Sequence, residues 1–404
     1  MLARCDRSNE KNVHPAKSSI VPTEISLTRN TIMEAPELIQ VDLYFERTDP
    51  NSEIVSEVEF QKFVDRVVTP LFPDGLTLFE ASGQSFNSSA TFSPEETKVI
   101  SLFVANTSES DAAINKIAEA YTQQFSGTEV RQVENWDDLK VGFGVGENLI
   151  DNDATPELIQ VELFFGRNIA GVGEVSEEQF QAFVDQTITP KFPDGLTIFD
   201  ANGQFLDSTD TLIQEPAKVV SLILEDTQTN ETAIDSIVES YIQQFQQESV
   251  LQAVNESIAV SFGPEDDLID NDSIPESIQV DLFLGRSIPG GGEVSQAEVQ
   301  GFIDDVVSPL FSDLAVFDAN GQFLDSTNTL IEEESKMVSL IFPDTKPNEA
   351  NLNAVVESYI EQFQQESVLI VVDEAIASNE VSRDPLICPD YIVSGSSIGG
   401  LPTG

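Results

Sequence analysis

Leu158–Phe165, LIQVELFF, alternates in polarity: Ile159, Val161, Leu163 and Phe165 share one parity, Gln160 and Glu162 the other. A period of two with one apolar side predicts a half-buried strand. Ser176 and Gln179 then make a capping box, Phe180, Phe183, Val184 and Thr187 follow at helical spacing, and Pro190 ends the helix. Leu196–Thr209, LTIFDANGQFLDST, predicts a strand, a tight turn at Asn202-Gly203 and a return strand, because Asn-Gly readily takes the positive φ of a hairpin turn. Lys218–Asp226, KVVSLILED, predicts a buried strand. Ile234, Ile237, Val238, Tyr241, Ile242 and Phe245 form one face of an amphipathic helix. Ser257–Gly263, SIAVSFG, predicts a closing strand. The order βαββαβ is the ferredoxin-like arrangement, with two helices on one face of an antiparallel sheet. Gln160, Glu162, Phe164, Ala259 and Ser261 fall on the open face.

The pattern occurs three times. APELIQVDLYFER at Ala35–Arg47 returns as TPELIQVELFFGR at Thr155–Arg167 and IPESIQVDLFLGR at Ile274–Arg286. The first offset is 120 residues; the second starts at 119 and falls to 118, where FPDGLTIF at Phe192–Phe199 becomes FSDLAVF at Phe311–Phe317. FDANGQFLDST is identical at Phe199–Thr209 and Phe317–Thr327. Units of this length are small domains rather than solenoid repeats. The expected fold class is therefore α+β, three tandem ferredoxin-like domains. Residues 1–34 are expected to be disordered. Repeat 1 covers 35–146 and is divergent, repeat 2 covers 155–263, repeat 3 covers 274–379 with a truncated last strand, and 380–404 is a flexible tail. Three open sheet faces invite packing within the chain, and an odd number leaves one face for self-association.

The stretch LFFGRNIAGVGEVSEEQFQAFVDQTITPKFPDGLTIFDANGQF, followed by EPAK, VVSLIL and YIQQFQQESVL, resembles the bacterial family called domain of unknown function 3574. Repeat 2 matches nearly throughout. Repeat 3 departs at Ser312-Asp313-Leu314, and repeat 1 at Glu46, in its loop and at Ser126-Gly127-Thr128. The resemblance implies the fold and the triplication; it implies no activity, because the family has none established.

Charge narrows the partners. Against 71 acidic residues stand 19 basic ones, a net charge of −52. Such a surface repels nucleic acid and anionic lipid, so neither nucleic acid nor membrane is an expected partner. Cys5 and Cys388 cannot form a disulfide framework, and no run reaches the length of a membrane span. The first residues lack the apolar core of a signal peptide, which predicts a cytoplasmic protein or secretion without a classical signal.

The one histidine, His14, precedes the repeats, and no repeat holds a cysteine. Ser-His-Asp triads, Cys-His pairs and ordinary zinc sites are thereby excluded from the repeats. No phosphate-loop motif is present, and the glycine loops Gly171–Gly173 and Gly290–Gly292 are flanked by Glu174 and Glu293. The linker acids Asp151, Asp153, Asp266, Asp267, Asp270 and Asp272 lack the spacing of a calcium loop. No catalytic set, metal site or cofactor is assigned.

What recurs is one Arg, one Glu, one Lys and one Tyr per unit. The candidate ligand-binding residues are Arg167, Glu215, Lys218 and Tyr241 with Arg286, Glu333, Lys336 and Tyr359; Arg47, Glu95, Lys98 and Tyr121 correspond in repeat 1. They suit a small anionic ligand or acid–base work. They equally suit internal ion pairs and a packed tyrosine. Lys218 shares the parity of Val220 and Leu222, which puts it on the covered face. Asp42, Glu162 and Asp281 recur on the open one. The expectation is a non-enzymatic binding or interaction scaffold. The alternative is an enzyme acting on a small anionic or carbonyl compound through the Arg, Glu, Lys and Tyr residues of repeats 2 and 3.

Overall fold

A computed structural model describes residues 38–47, 54–84, 95–125, 130–135, 139–142, 144–145, 149–150, 156–169, 171, 173–206, 211–264, 268–269, 276–289, 291–324, 329–374 and 376–380. His14, Cys5, Cys388, the amino-terminal segment, the tail and the linker acids named above lie outside them.

In repeat 1 the elements are β1 (Leu38–Glu46), α1 (Glu57–Phe63), β2 (Gly75–Gln84), β3 (Glu95–Ala105), α2 (Ser108–Gln124), β4 (Val130–Asn135) and β5 (Leu139–Gly142). Repeat 2 has β6 (Leu158–Gly166), a small hairpin of β7 (Asn168–Ile169) and β8 (Gly173–Glu174), α3 (Glu177–Phe183), β9 (Gly195–Leu206), β10 (Leu212–Glu225), α4 (Gln228–Phe245), β11 (Leu251–Asn255) and β12 (Ile258–Ser261). Repeat 3 has β13 (Ser277–Gly285), α5 (Gln296–Phe302), β14 (Leu314–Leu324), β15 (Leu330–Pro343), α6 (Lys346–Phe363), β16 (Leu369–Asp373) and β17 (Ile376–Glu380). The fold is α+β.

Ser56, Ser176 and Ser295 make the expected capping boxes with Glu59, Gln179 and Glu298. Each of these helices runs on into a single π turn, Val64–Val68, Val184–Ile188 and Ile303–Val307. Apolar residues of the first strand, both helices and the third strand then form one core per repeat. In repeat 2, Val161, Leu163 and Phe165 meet Phe180, Phe183, Ile237 and Tyr241. Four phenylalanines, Phe165, Phe180, Phe183 and Phe245, surround the Tyr241 ring at centroid distances of 4.6–6.3 Å. Such pairs contribute about 0.5–1.5 kcal/mol each beyond their burial.

Strand pairing goes beyond the repeats. Within repeat 2 the order is β9-β10-β6-β11, all antiparallel, and repeats 1 and 3 follow the same order. The next strand of each repeat leaves its own unit. β5 pairs with β11, β12 with β16, and β17 returns to pair with β4. The strands β2, β9 and β14 also pair with one another around a closed circuit. Among the described residues, fifteen strands thus form one continuous antiparallel sheet.

Three expectations are corrected by this arrangement. Asn202-Gly203 is not a turn: both residues lie inside β9, neither has positive φ, and Gly203 sits between Glu215 on one side and Thr77 of repeat 1 on the other. The duplicated FDANGQF stretch is therefore a seam between repeats, extended because it has partners on both edges. Its glutamine bonds across that seam, Gln204 Nε2 donating to Thr69 Oγ1 at 2.7 Å and Gln322 Nε2 to Thr189 Oγ1 at 2.8 Å. Second, repeat 2 is closed by β11, whereas the expected closing strand, β12, belongs to the sheet of repeat 3. Third, β17 is not truncated, having five residues against four in β12. Ile150 and Ile269, from the segments between repeats, are buried in the cores of the repeats that follow them.

The sheet faces opposite the helices all turn to the middle. Tyr44, Val99, Phe164, Phe199, Phe317 and Ile341, drawn from all three repeats, share one central cluster. The three faces meet by three-way convergence rather than in a pair with one left over.

Candidate functional site

The end of β6 is held by the predicted site residues. Arg167 Nε donates to the Val175 carbonyl at 2.8 Å, and its guanidinium pairs with Glu174 at 3.1 Å and Glu177 at 3.6 Å. Tyr241 Oη donates to the Gly166 carbonyl at 2.9 Å. Glu215 accepts from the Asn168 backbone N–H at 2.6 Å, and burial pushes its pKa up. Lys218 is 3 % exposed and lies between Glu177 at 2.8 Å and Asp200 at 2.7 Å, on the helix side of the sheet.

Repeat 3 repeats this with changes. Arg286 Nε donates to the Val294 carbonyl at 2.8 Å and its guanidinium pairs with Glu293 and Glu334. Tyr359 Oη donates to the Gly285 carbonyl at 2.8 Å, Glu333 accepts from the Ser287 N–H at 2.5 Å, and Lys336 pairs with Asp318. Gln296 stands where Glu177 bridges Arg167 and Lys218, so Arg286 and Lys336 are not joined through a shared acid. In repeat 1, Tyr121 bonds the Glu46 carbonyl at 2.8 Å, and Glu57 pairs with both Arg47 and Lys98. Arg and Tyr clasp one backbone corner in each repeat, with Glu215 and Glu333 joining them in repeats 2 and 3; Lys neutralises acids beside it.

The first strands also carry a second, inward set. Positions two residues apart give a ring of Gln40, Gln160 and Gln279 and a ring of Asp42, Glu162 and Asp281; together with Ser101 and Ser339 they line a small central chamber of about 110 Å³. Gln40 Nε2 donates to Asp42 and to Ser101 Oγ at 3.3 Å, Gln160 to Ser221 Oγ at 3.1 Å, and Gln279 to Asp281 at 3.3 Å. A further ring comes from the closing strands: Asn135 and Asn255 both donate to the Asp373 carboxylate, at 2.5 and 2.9 Å.

Removal from water disfavours the charged carboxylate. Burial pushes Glu162 up to about 8, with the negative charges of Asp42 and Asp281 adding to the effect. Asp281 is pushed up to about 6 by burial, against hydrogen bonds that favour its ionised form, and Asp42 is raised for the same first reason. Tyr44, beside them, is raised as well by burial. Glu162 and Asp281 therefore differ in their readiness to ionise near neutral pH although they occupy equivalent positions.

The acids of this chamber recur visibly in the sequence; the Asn135, Asn255 and Asp373 ring was missed. Its signal lies in RQVEN, LQAVN and LIVVD, which align at the repeat offsets. Among the described residues, no group of three or more His, Cys, Asp or Glu is arranged to hold a metal ion. No described helix is long and apolar enough to cross a membrane.

Residues 40–142, 160–262 and 279–378 each match the family described as Protein of unknown function (DUF3574). No curated protein and no solved structure matches the chain.

Proposed function

We propose that this chain, which belongs to the DUF3574 family in three tandem copies, is a binding scaffold: three ferredoxin-like modules fused into a ring that receives small molecules on its inward and junctional surfaces. One observation carries the reading. The Arg, Lys and Tyr residues that recur in every copy, with Glu215 and Glu333, are already engaged by backbone corners and neighbouring acids, whereas the inward faces gather polar side chains around a central chamber. A group held by its own fold is poorly placed to hold a substrate. The enzyme reading through Arg167, Glu215, Lys218 and Tyr241 has correspondingly less support. The net charge of −52 speaks against nucleic acid and anionic membranes as partners, and the proposed setting is cytoplasmic, with secretion lacking a classical signal as the alternative.

The test is a metabolite screen by thermal shift on the full chain, with and without calcium, followed by product analysis for every stabilising compound. Saturable stabilisation without conversion supports a scaffold. Conversion of a stabilising compound, abolished in Arg167→Ala or Tyr241→Phe, overturns it in favour of an enzyme.

A further inference from the structure

The ring has three junctions, and two recurring positions, one at each, close two of them. Between repeats 1 and 2, Phe103 and Phe164 pack edge to face with centroids 5.7 Å apart. Between repeats 3 and 1, Arg131 lies over the Tyr44 ring at 5.7 Å and pairs with Asp313. At the junction of repeats 2 and 3, Ile223 stands at the position of Phe103 and Leu369 at the position of Arg131. Neither the second aromatic ring nor the spanning cation is present there. Both residues line a cavity of about 510 Å³. Small-molecule sites run roughly 300–1,000 Å³ and are mostly apolar with a few polar groups.

The lining fixes the chemistry of the occupant. Ile223, Phe283, Phe323 and Leu369 supply an apolar wall, Asp194, Glu333 and Glu366 supply acid, and no Lys or Arg is among the described lining residues. Asp194 is the counterpart of Asp313, and Leu369 holds the position of the arginine with which Asp313 pairs. A second observation is independent of shape. Ser335, 6 % exposed, lines this cavity with a buried hydroxyl that has no hydrogen-bond partner, and it replaces Ala217 of repeat 2. Buried hydroxyls without partners are uncommon because the missing bond is costly.

We infer that the junction of repeats 2 and 3 is a ligand site for a small aromatic compound, neutral or bearing an amine, that fills the space left by Phe103 and Arg131 at the other junctions and bonds Ser335. Anionic compounds are excluded by the acids around it. This rests on the binding reading above and assigns it a place.

The test uses the full chain and two dyes of one skeleton: N-phenylnaphthylamine, which is uncharged, and its sulfonated analogue anilinonaphthalene sulfonate. The uncharged dye brightens saturably at one site per chain, and the sulfonate binds about tenfold or more weakly, as like charges repel. Ile223→Phe and Leu369→Arg each import the residue of a closed junction, and each lowers the affinity of the uncharged dye by about tenfold or more. Ser335→Ala lowers it about three- to tenfold, the net worth of one hydrogen bond. Thermal melting confirms that the variants remain folded. Unchanged dye affinity in the two junction variants, or equal binding of both dyes, overturns this site. Such a result leaves the broader scaffold reading to the metabolite screen, so the two fail separately.

Discussion

Asn255 donates its side-chain amide to the carboxylate of Asp373 across 2.9 Å, joining residues 118 positions apart. Asn135 donates to the same carboxylate, so one acid of repeat 3 ties all three closing strands together. Asp373→Ala leaves two amides without their acceptor, at about 1–3 kcal/mol for each that stays dry. Urea unfolding should show that loss, while Asp373→Asn, which completes a ring of three asparagines, should stay closer to wild type. The like charge of Asp373 also helps to raise Asp281. Either substitution should therefore lower the Asp281 pKa, readable by NMR titration.

Stability should fall as pH rises toward 8. Glu162 and Asp281 hold protons in the folded state that the unfolded chain releases nearer the ordinary carboxylate range. Wherever the folded state binds more protons, unfolding becomes easier with increasing pH. For Glu162 the window opens near 4.5 and closes near 8. The thermal midpoint should decline across it and flatten above. Glu162→Gln should be flatter through that window and more stable than wild type at the alkaline end, by a few kcal/mol at about 1.4 kcal/mol per pKa unit. Parallel curves for the two proteins would show that the chamber does not set the slope.

Gly166 has no room for a side chain, since a Cβ there would lie 2.2 Å from Glu215 Oε1. Gly166→Ala should destabilise by about 1–3 kcal/mol as Glu215 is displaced from the Asn168 N–H. Combining it with Glu215→Ala should cost less than the sum of the two single changes, measured by a double-mutant cycle. Additive costs would mean that the two positions do not interfere.

A fragment spanning residues 146–263 contains β6 through β12 together with the core residue Ile150. Its own β12 has no sheet to join within one copy, because in the full chain it pairs with β16 of the next repeat. Three such fragments can complete one another by cyclic exchange. Analytical ultracentrifugation should find a trimer, and a stable folded monomer would contradict the pairing described.

Local features were legible in the sequence and partnerships were not. The capping boxes at Ser56, Ser176 and Ser295 and the face of α4 declare themselves because cap geometry and helical periodicity act over a few residues. β11 went unread because α4 ends at Gln246 in a left-handed conformation, φ 55°, usually taken by glycine, so nothing marked where the helix stopped. Asn202-Gly203 misled because the dipeptide that suits a tight turn also tolerates a strand paired on both edges. Alternation along Leu158–Phe165 correctly separates a helix side from an open side, yet no periodicity says what meets the open side. The recurring Arg, Glu, Lys and Tyr were visible as a set; only coordinates distinguish a clasp on the fold's own backbone from a receptor for something else.

Covalent fusion changes what mutation can do to this ring. In an assembly of identical subunits, every amino-acid change is stamped onto all interfaces at once, so a crevice cannot be sealed at two seams and preserved at the third. Here Phe103, Arg131, Ile223 and Leu369 are encoded separately. One seam is thereby free to specialise while its siblings remain mortar, a division of labour that symmetry would forbid.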